Sequence, residues 1–258
     1  MKKIFIDAGH GGANPGATYG KRKESEDVFR LAAAVAEKLG TQEQVEVRMS
    51  RTSKDDPEIS RRAGDANAWG ADYFISIHRN AFLPEKGRGA EVWCYSKIEK
   101  GGETYKKAED ILRSLCEASG FANRGVQLGA PSYTDFGVNR LTKMHSCLLE
   151  VGFVDNSADN AVFDSRLDAM ALALAKSLCR AVGVEYKEQA QTVPGDVNGD
   201  ETVDVKDIVA LRRYITGGYN VTCNEAAVDI NRDGLVDVKD IITLRRYLAE
   251  GYGIVLGY

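Results

Sequence analysis

The chain has 258 residues, 43% of them hydrophobic, enough for one large globular domain or two. A formal charge of −4 is too small to suggest a nucleic-acid partner. No apolar run approaches the ~20 residues of a membrane span. From Gly195 onward there are 11 acidic and 7 basic residues, so the whole excess charge falls in that segment. Two bound divalent cations would neutralise it.

In chain order, short apolar runs predict strands at 3–7, 44–49, 72–78, 89–95 and 146–151. Apolar residues at helical spacing predict helices at 24–39, 57–69, 102–119 and 165–182. The alternation implies an α/β fold, a twisted and mostly parallel sheet with helices on both faces. Residues 1–185 would form this domain. Loops are expected at 9–20 and 129–137, and the polar stretch 186–194, ending at Pro194, reads as a linker. Residues 195–258 would form a small all-α domain. Met1-Lys2-Lys3 precedes only three apolar residues before Asp7, so no signal-peptide apolar region is read here. The five cysteines include no C-x-x-C pair, and four lie in apolar patterns as reduced core residues.

Only three histidines occur. His10 and His78 each end an apolar run, and a third run, Cys147-Leu148-Leu149, ends in Glu150. Polar ligand-type side chains at the carboxyl ends of strands mark a site, because open α/β sheets bind ligands there. The helix after the first strand supplies an acid to the same edge. Glu24 extends its apolar stripe of Val28, Leu31, Ala32, Val35 and Leu39, whereas Glu26 falls on the solvent face with Arg30 and Glu37. Two imidazoles and one carboxylate suit a zinc ion with an open position, the arrangement of catalytic zinc. A further carboxylate is then needed to move protons, and Glu150 is the candidate.

The C-terminal segment contains a duplication with an offset of 33 residues. Asp196-Val-Asn-Gly-Asp-Glu-Thr-Val-Asp-Val-Lys-Asp207 is echoed by Asp229-Ile-Asn-Arg-Asp-Gly-Leu-Val-Asp-Val-Lys-Asp240, and each copy runs into a helix. The spacing offers two calcium ions oxygen ligands at loop positions 1, 3, 5, 9 and 12, plus a carbonyl from position 7. These are Asp196, Asn198, Asp200, Asp204, Asp207 and the Thr202 carbonyl, then Asp229, Asn231, Asp233, Asp237, Asp240 and the Leu235 carbonyl. Loop position six requires a sharp turn. Gly234 suits it and Glu201 does not, so the first loop is expected to be strained or weaker.

The stretches IFIDAGHGGANPGAT, Glu24 with Leu31-Ala32, DYFISIHRNA and CLLEVGFVDN resemble the zinc-dependent N-acetylmuramoyl-L-alanine amidases of the amidase-3 type. Ser50-Arg51-Thr52, Arg62 with Asn67, and Gly89-Ala90-Glu91-Val92 extend the match over most of 1–183. The resemblance implies zinc ligands His10, Glu24 and His78 and a catalytic Glu150. It implies cleavage of the amide between N-acetylmuramic acid and the L-alanine of the peptide stem. One departure is His145, where the family often has proline; it is read mainly as a strand-entry or rim residue, with a substrate contact and, last, a metal ligand as alternatives. Glu91 is open between a core-edge acid paired with an arginine and a site residue. Arg62 and Asn67 read as structural, and Asn80 as either a substrate contact or a turn cap.

The segment from about 195 to 252 is similar to a type I dockerin, a calcium-folded module that docks onto cohesin domains of a cellulosome-type scaffold. By that analogy Val205, Lys206, Leu211, Arg212, Val238, Lys239, Leu244 and Arg245 would face the cohesin. Peptidoglycan and cohesins imply an extracellular or cell-wall location, although no export signal is read in this chain. Two other readings stay open: a zinc enzyme of this fold acting on another amide, and an inactive wall-binding module.

Overall fold

A computed structural model describes residues 1–130, 134–188, 193–217, 223–224, 227–250 and 256. Parts of two predicted segments, 131–133 of the loop 129–137 and 189–192 of the linker, lie outside the described residues. The chain forms two compact units, Met1–Lys187 and Glu188–Tyr258.

The first unit is built on a six-stranded sheet. Its strands are β1 (Lys2–Ala8), β4 (Val45–Met49), β5 (Tyr73–Asn80), β6 (Ala90–Cys94), β7 (Asn123–Leu128) and β8 (His145–Phe153), in the order β4-β1-β5-β8-β6-β7. Pairings from β4 to β8 are parallel; β6 runs antiparallel to β8, and β7 parallel to β6. A small hairpin, β2 (Thr18–Tyr19) with β3 (Arg22–Lys23), precedes α1 (Glu24–Gly40). The other helices are α2 (Ile59–Trp69), α3 (Glu103–Ser119), α4 (Gly137–Leu141) and α5 (Ser157–Ala181).

Strand alternation sorts the core into two layers. Ile4, Ile6, Tyr73, Ile75, Ile77, Cys147 and Leu149 pack with α1, α3 and α5. Phe5, Phe74 and Leu148 pack with Ala66 of α2 and Val138 of α4 on the opposite face. This is the expected α/β arrangement with helices on both faces. Along the second face the same alternation carries polar residues toward the strand ends: Asp7 after Phe5, Ser76 and His78 after Phe74, Glu150 after Leu148.

The structure adds the β2–β3 hairpin, whose first strand lies in the expected loop 9–20, together with β7 and α4, and starts α5 eight residues earlier than read, at Ser157. Tyr186 packs against the first core, and Lys187 exchanges two hydrogen bonds with Gln42. Both residues therefore stay with the first unit, not with the linker.

The second unit contains α6 (Val205–Ile215) and α7 (Val238–Glu250), one after each copy of the repeat. Its small core includes Val197, Leu211, Val228, Ile230, Leu244 and Leu256. Leu211 and Leu244 are fully buried. They were expected on the partner-facing surface; instead each lies three residues after Ile208 or Ile241, on the stripe that packs α6 against α7.

Candidate metal centre and catalytic cleft

Each candidate ligand is presented by a different local device. His10 follows β1 in a left-handed conformation, φ 56°. A non-glycine residue there costs about 1–2 kcal/mol, so the surrounding structure must impose it. His78 lies within β5, directly opposite Glu150 of β8. Glu24 is the first residue of α1, whose opening turn also carries Glu26 and Asp27, favourable at a helix N-terminus.

The Glu24 carboxylate joins the two rings. Oε2 lies 3.2 Å from His10 Nε2, and Oε1 lies 3.0 Å from His78 Nδ1. The rings meet edge-on with centroids 5.0 Å apart. One nitrogen from each ring and a Glu24 oxygen all fall within 4.8 Å of one another. Two backbone amides, from Ala17 and Arg79, also donate to this carboxylate and fix its plane. Burial alone would raise the Glu24 pKa, but its bonds to His10 and His78 outweigh that and hold it far below the usual range. Glu26 is exposed and pairs with Lys23.

Glu150 sits in the same cleft, with Oε2 buried and unpartnered. Burial pushes its carboxyl up to about 8, opposed by His78 and reinforced by Glu24 and Glu91. The cleft encloses about 560 Å³ and is walled by Asn14, Asp56, Ile59, Arg62, Asn80 and Phe136, among others.

A family model described as N-acetylmuramoyl-L-alanine amidase matches residues 4–182. The chain belongs to the N-acetylmuramoyl-L-alanine amidase family.

The amidase is 35% identical over 211 residues to the N-acetylmuramoyl-L-alanine amidase CwlM of Bacillus licheniformis, covering 78% of this chain and 79% of that one. It is 36% identical over 160 residues to the sporulation-specific N-acetylmuramoyl-L-alanine amidase of Bacillus subtilis, covering 62% and 59%. Among solved structures, the catalytic domain of CwlV, the amidase from Bacillus (Paenibacillus) polymyxa var. colistinus, superposes with a TM-score of 0.65 at 27% identity. That match covers 72% of this chain and all of that domain. A dockerin type I domain matches residues 194–249 of the amidase.

Several residues around the centre escaped the sequence reading. Gly9 and Gly16 are needed for closeness: a Cβ on Gly9 would collide with the His78 ring, and one on Gly16 would lie 2.6 Å from Glu24 Oε2. Arg79 is fully buried between Asp27 and the carbonyls of Val151 and Phe153. Asp7 and Ser76 are buried and bonded to each other. The period-two pattern Phe5-Asp7, Phe74-Ser76-His78 and Leu148-Glu150 was the signal available for Asp7 and Ser76.

Glu91 is the buried acid paired with an arginine that one of its readings expected. It faces Glu150 across β6–β8, and it accepts from Arg124, Asn80 and Trp93. Asn80 lines the cleft and also accepts from the amide of Ala81. Asn67 ties α2 to Leu141 and Lys143, a structural task. His145 begins β8, five residues before Glu150, with Thr104 Oγ1 2.7 Å from its Nδ1.

In the dockerin segment the acidic side chains fold the loops around themselves. Asp196 accepts from the amides of Gly199, Asp200 and Glu201. Asp207 accepts from Asn198 and Asp204, and Asp240 from Ile230, Asn231 and Asp237. Asp204 caps α6 in a capping box with Asp207. Asp229 accepts from Gly234, while its Oδ1 is buried without a partner. Asn198 and Asp200 bond each other, as do Asn231 and Asp233. Thr202 donates its amide to Asp200 and Leu235 donates to Asp233. Asp237 accepts from Lys239.

Glu201 is left-handed, φ 65°, as its loop position demands. The second loop carries the same kind of load elsewhere: Arg232 has φ 60°, where the first loop has Gly199 at φ 75°. Strain is therefore shared by the loops and is not confined to the first.

Val205, Lys206 and Arg212 are exposed, as are Val238, Lys239 and Arg245. Val209 and Ile242, each 45% exposed, fall one turn beyond Val205 and Val238. The sequence reading missed this pair, although valine and isoleucine at matching repeat positions were visible.

Proposed function

We propose that the protein is a zinc-dependent amidase that cleaves the bond between N-acetylmuramic acid and the L-alanine of the peptide stem. One observation carries the reading: the donor atoms of His10, Glu24 and His78 cluster within 4.8 Å beside a carboxyl, Glu150, that has an unpartnered buried oxygen. Two imidazole nitrogens and a carboxylate oxygen, the carboxylate oriented by backbone amides, are a donor set suited to zinc. Bound there, zinc would supply a Lewis acid that polarises the scissile carbonyl and acidifies water.

The chain's own residues do the rest. Glu150, with its raised proton affinity, takes a proton from the attacking water and returns it to the departing alanine amine. Glu91, held by Arg124 and opposite Glu150 across the sheet, raises the proton affinity of the Glu150 carboxylate. Asn80 and Asn14 offer amide groups along the cleft wall for a polar, branched substrate.

The dockerin segment would tether this activity to a cohesin-bearing scaffold outside the cell. Two calcium ions would be held by the acidic and asparagine side chains of the two loops with the carbonyls of Thr202 and Leu235. The unpartnered Asp229 Oδ1 supports this fit. The surface formed by Val205, Lys206, Val209 and Arg212 is repeated by Val238, Lys239, Ile242 and Arg245, so the module offers two equivalent faces. No helix among the described residues is long and apolar enough to cross a membrane.

Mass spectrometry of digested muropeptides tests the activity. Products with a free lactyl carboxyl and a free L-alanine amine are expected from the wild type and not from Glu150→Gln. Cleavage elsewhere in the stem would replace this reading with a different amide substrate.

A further inference from the structure

Two arginines are buried against the loop that carries His10. Arg51 is 6% exposed and Arg62 is 4% exposed. Arg51 donates from Nε to the Ala8 carbonyl (2.8 Å) and from Nη2 to those of Gly9 (3.0 Å) and Ser25 (2.9 Å). Arg62 donates from Nη1 to the Ala8 carbonyl (2.6 Å) and from Nη2 to that of His10 (2.8 Å). Three consecutive carbonyls, 8, 9 and 10, thus point at guanidinium groups. Gly11, at φ 130°, is closely packed here: a Cβ would lie 2.2 Å from the Asp55 carbonyl oxygen and 2.9 Å from Arg51 Cδ and Nε.

Such an arrangement is unfavourable by itself. Buried cations lose hydration and need full hydrogen bonding. Burial lowers the Arg51 pKa, and repulsion from Arg62 lowers it further. Arg62 is compensated by Asp7, buried and 2.7 Å from Nη1, and by Asp56 at 2.9 Å. Asp7 is in turn held by Ser76 of β5. A line of bonds therefore runs from β5 through Asp7 and Arg62 to the carbonyl of His10, the residue held in left-handed backbone geometry.

We propose that Arg62, seconded by Arg51, is a positioning residue that locks the His10 backbone in its left-handed conformation and so aims the imidazole at the shared metal position. The inference rests on the reading of His10, Glu24 and His78 as metal ligands. Lysine would not serve in this position: one ammonium cannot donate along the separate directions that Ala8, His10, Asp7 and Pro57 require.

The test uses the full chain, stripped of metal and titrated with cobalt(II) as the probe. Affinity is read from the visible absorption bands, and hydrogen exchange of amides 9–12 is measured on the metal-free protein. Arg62→Gln is expected to weaken cobalt binding by about 10- to 100-fold, to alter the bands, and to speed exchange in that loop. Arg62→Lys should not rescue it. Asp7→Asn combined with Arg62→Gln removes both charges, guards against misfolding from an unpaired acid, and should show the same loss. Unchanged affinity, bands and exchange in the folded double variant would overturn the proposal. If the wild type binds neither cobalt nor zinc, the metal reading fails on its own, and unchanged exchange at 9–12 in Arg62→Gln still decides the role of Arg62.

Discussion

Gly9 lies directly against the imidazole of His78: a Cβ at that position would stand 2.5 Å from Nε2 and 2.7 Å from Nδ1. Gly9 also donates its amide to Ile77, so the backbone has little freedom to retreat. Gly9→Ala is therefore expected to push the ring out of line, lowering zinc affinity at least tenfold. The overpacking should also reduce stability by about 1–3 kcal/mol. Metal titration and thermal unfolding read the two effects separately.

Glu24 and Glu26 are two residues apart with opposite expected behaviour. Glu24→Gln removes the carboxylate that lies between both imidazoles, so the purified protein should retain well below one equivalent of zinc. Glu26→Gln loses an exposed pair with Lys23, which contributes no more than about 1 kcal/mol, and should keep full zinc and activity. Metal analysis with a turnover assay on both variants tests this. Zinc loss in Glu26→Gln would mean that the helix is phased differently.

The Glu150 carboxyl titrates near 8 when folded, against 4.5 ordinarily. A raised carboxyl pKa means the folded state prefers the protonated form. Its stabilising effect is complete below about pH 4.5 and is lost as pH rises through about 8. In metal-free protein, Glu150→Gln should match the wild type near pH 4.5. Above about pH 8 it should be more stable by up to ~5 kcal/mol, because no charge is buried. Chemical denaturation across that pH range checks the crossover.

Glu201 occupies a left-handed position where glycine carries no Cβ penalty. Glu201→Gly is expected to raise the stability of the calcium-loaded second unit by roughly 0.5–1 kcal/mol. Gly199→Ala, at φ 75°, should lower it by a similar amount. Differential scanning calorimetry of the full chain, with calcium and with a chelator, measures both. The chelator alone should remove the second unit's transition, while the first unit keeps a transition of its own, lowered by the loss of zinc.

On the docking side, burial separates contact residues from core residues. Leu211→Ala should destabilise the second unit by about 2–5 kcal/mol, because its side chain is wholly enclosed. Val205→Asp combined with Val238→Asp should leave folding intact and abolish cohesin binding. Either substitution alone should leave one face working. Calorimetric titration with a cohesin domain distinguishes these outcomes.

What could be read from the residues followed the strength of local pattern. His10, His78 and Glu150 each close a short apolar run of the sequence, and α1 has an unbroken apolar stripe. Both signals survive without tertiary context. β7 was missed because Asn123-Arg-Gly-Val-Gln-Leu128 is a half-exposed edge strand with a glycine in it. The opening of α5 was missed because Asp159 is buried as a polar anchor, accepting from the amides of Gly89 and Phe153, and breaks the apolar rhythm. The tie of Arg51 and Arg62 to the His10 loop was not legible, because an arginine's carbonyl partners depend on loop geometry that no spacing encodes. Leu211 and Leu244 were misplaced for the opposite reason. Sharing a helix with exposed basic residues says nothing about which way a leucine faces.

The pairing of His78 with Glu150 is a rung of the β5–β8 ladder. Their separation is thus governed by interstrand spacing, about 4.8 Å, and owes nothing to the segments that join the strands. Walls of the cleft can be lengthened, shortened or exchanged while this rung stays put. A cell-wall hydrolase designed on this scaffold could be retargeted by rebuilding its rim alone, whereas slipping β8 by a single residue would turn Glu150 to the other side of the sheet and silence it.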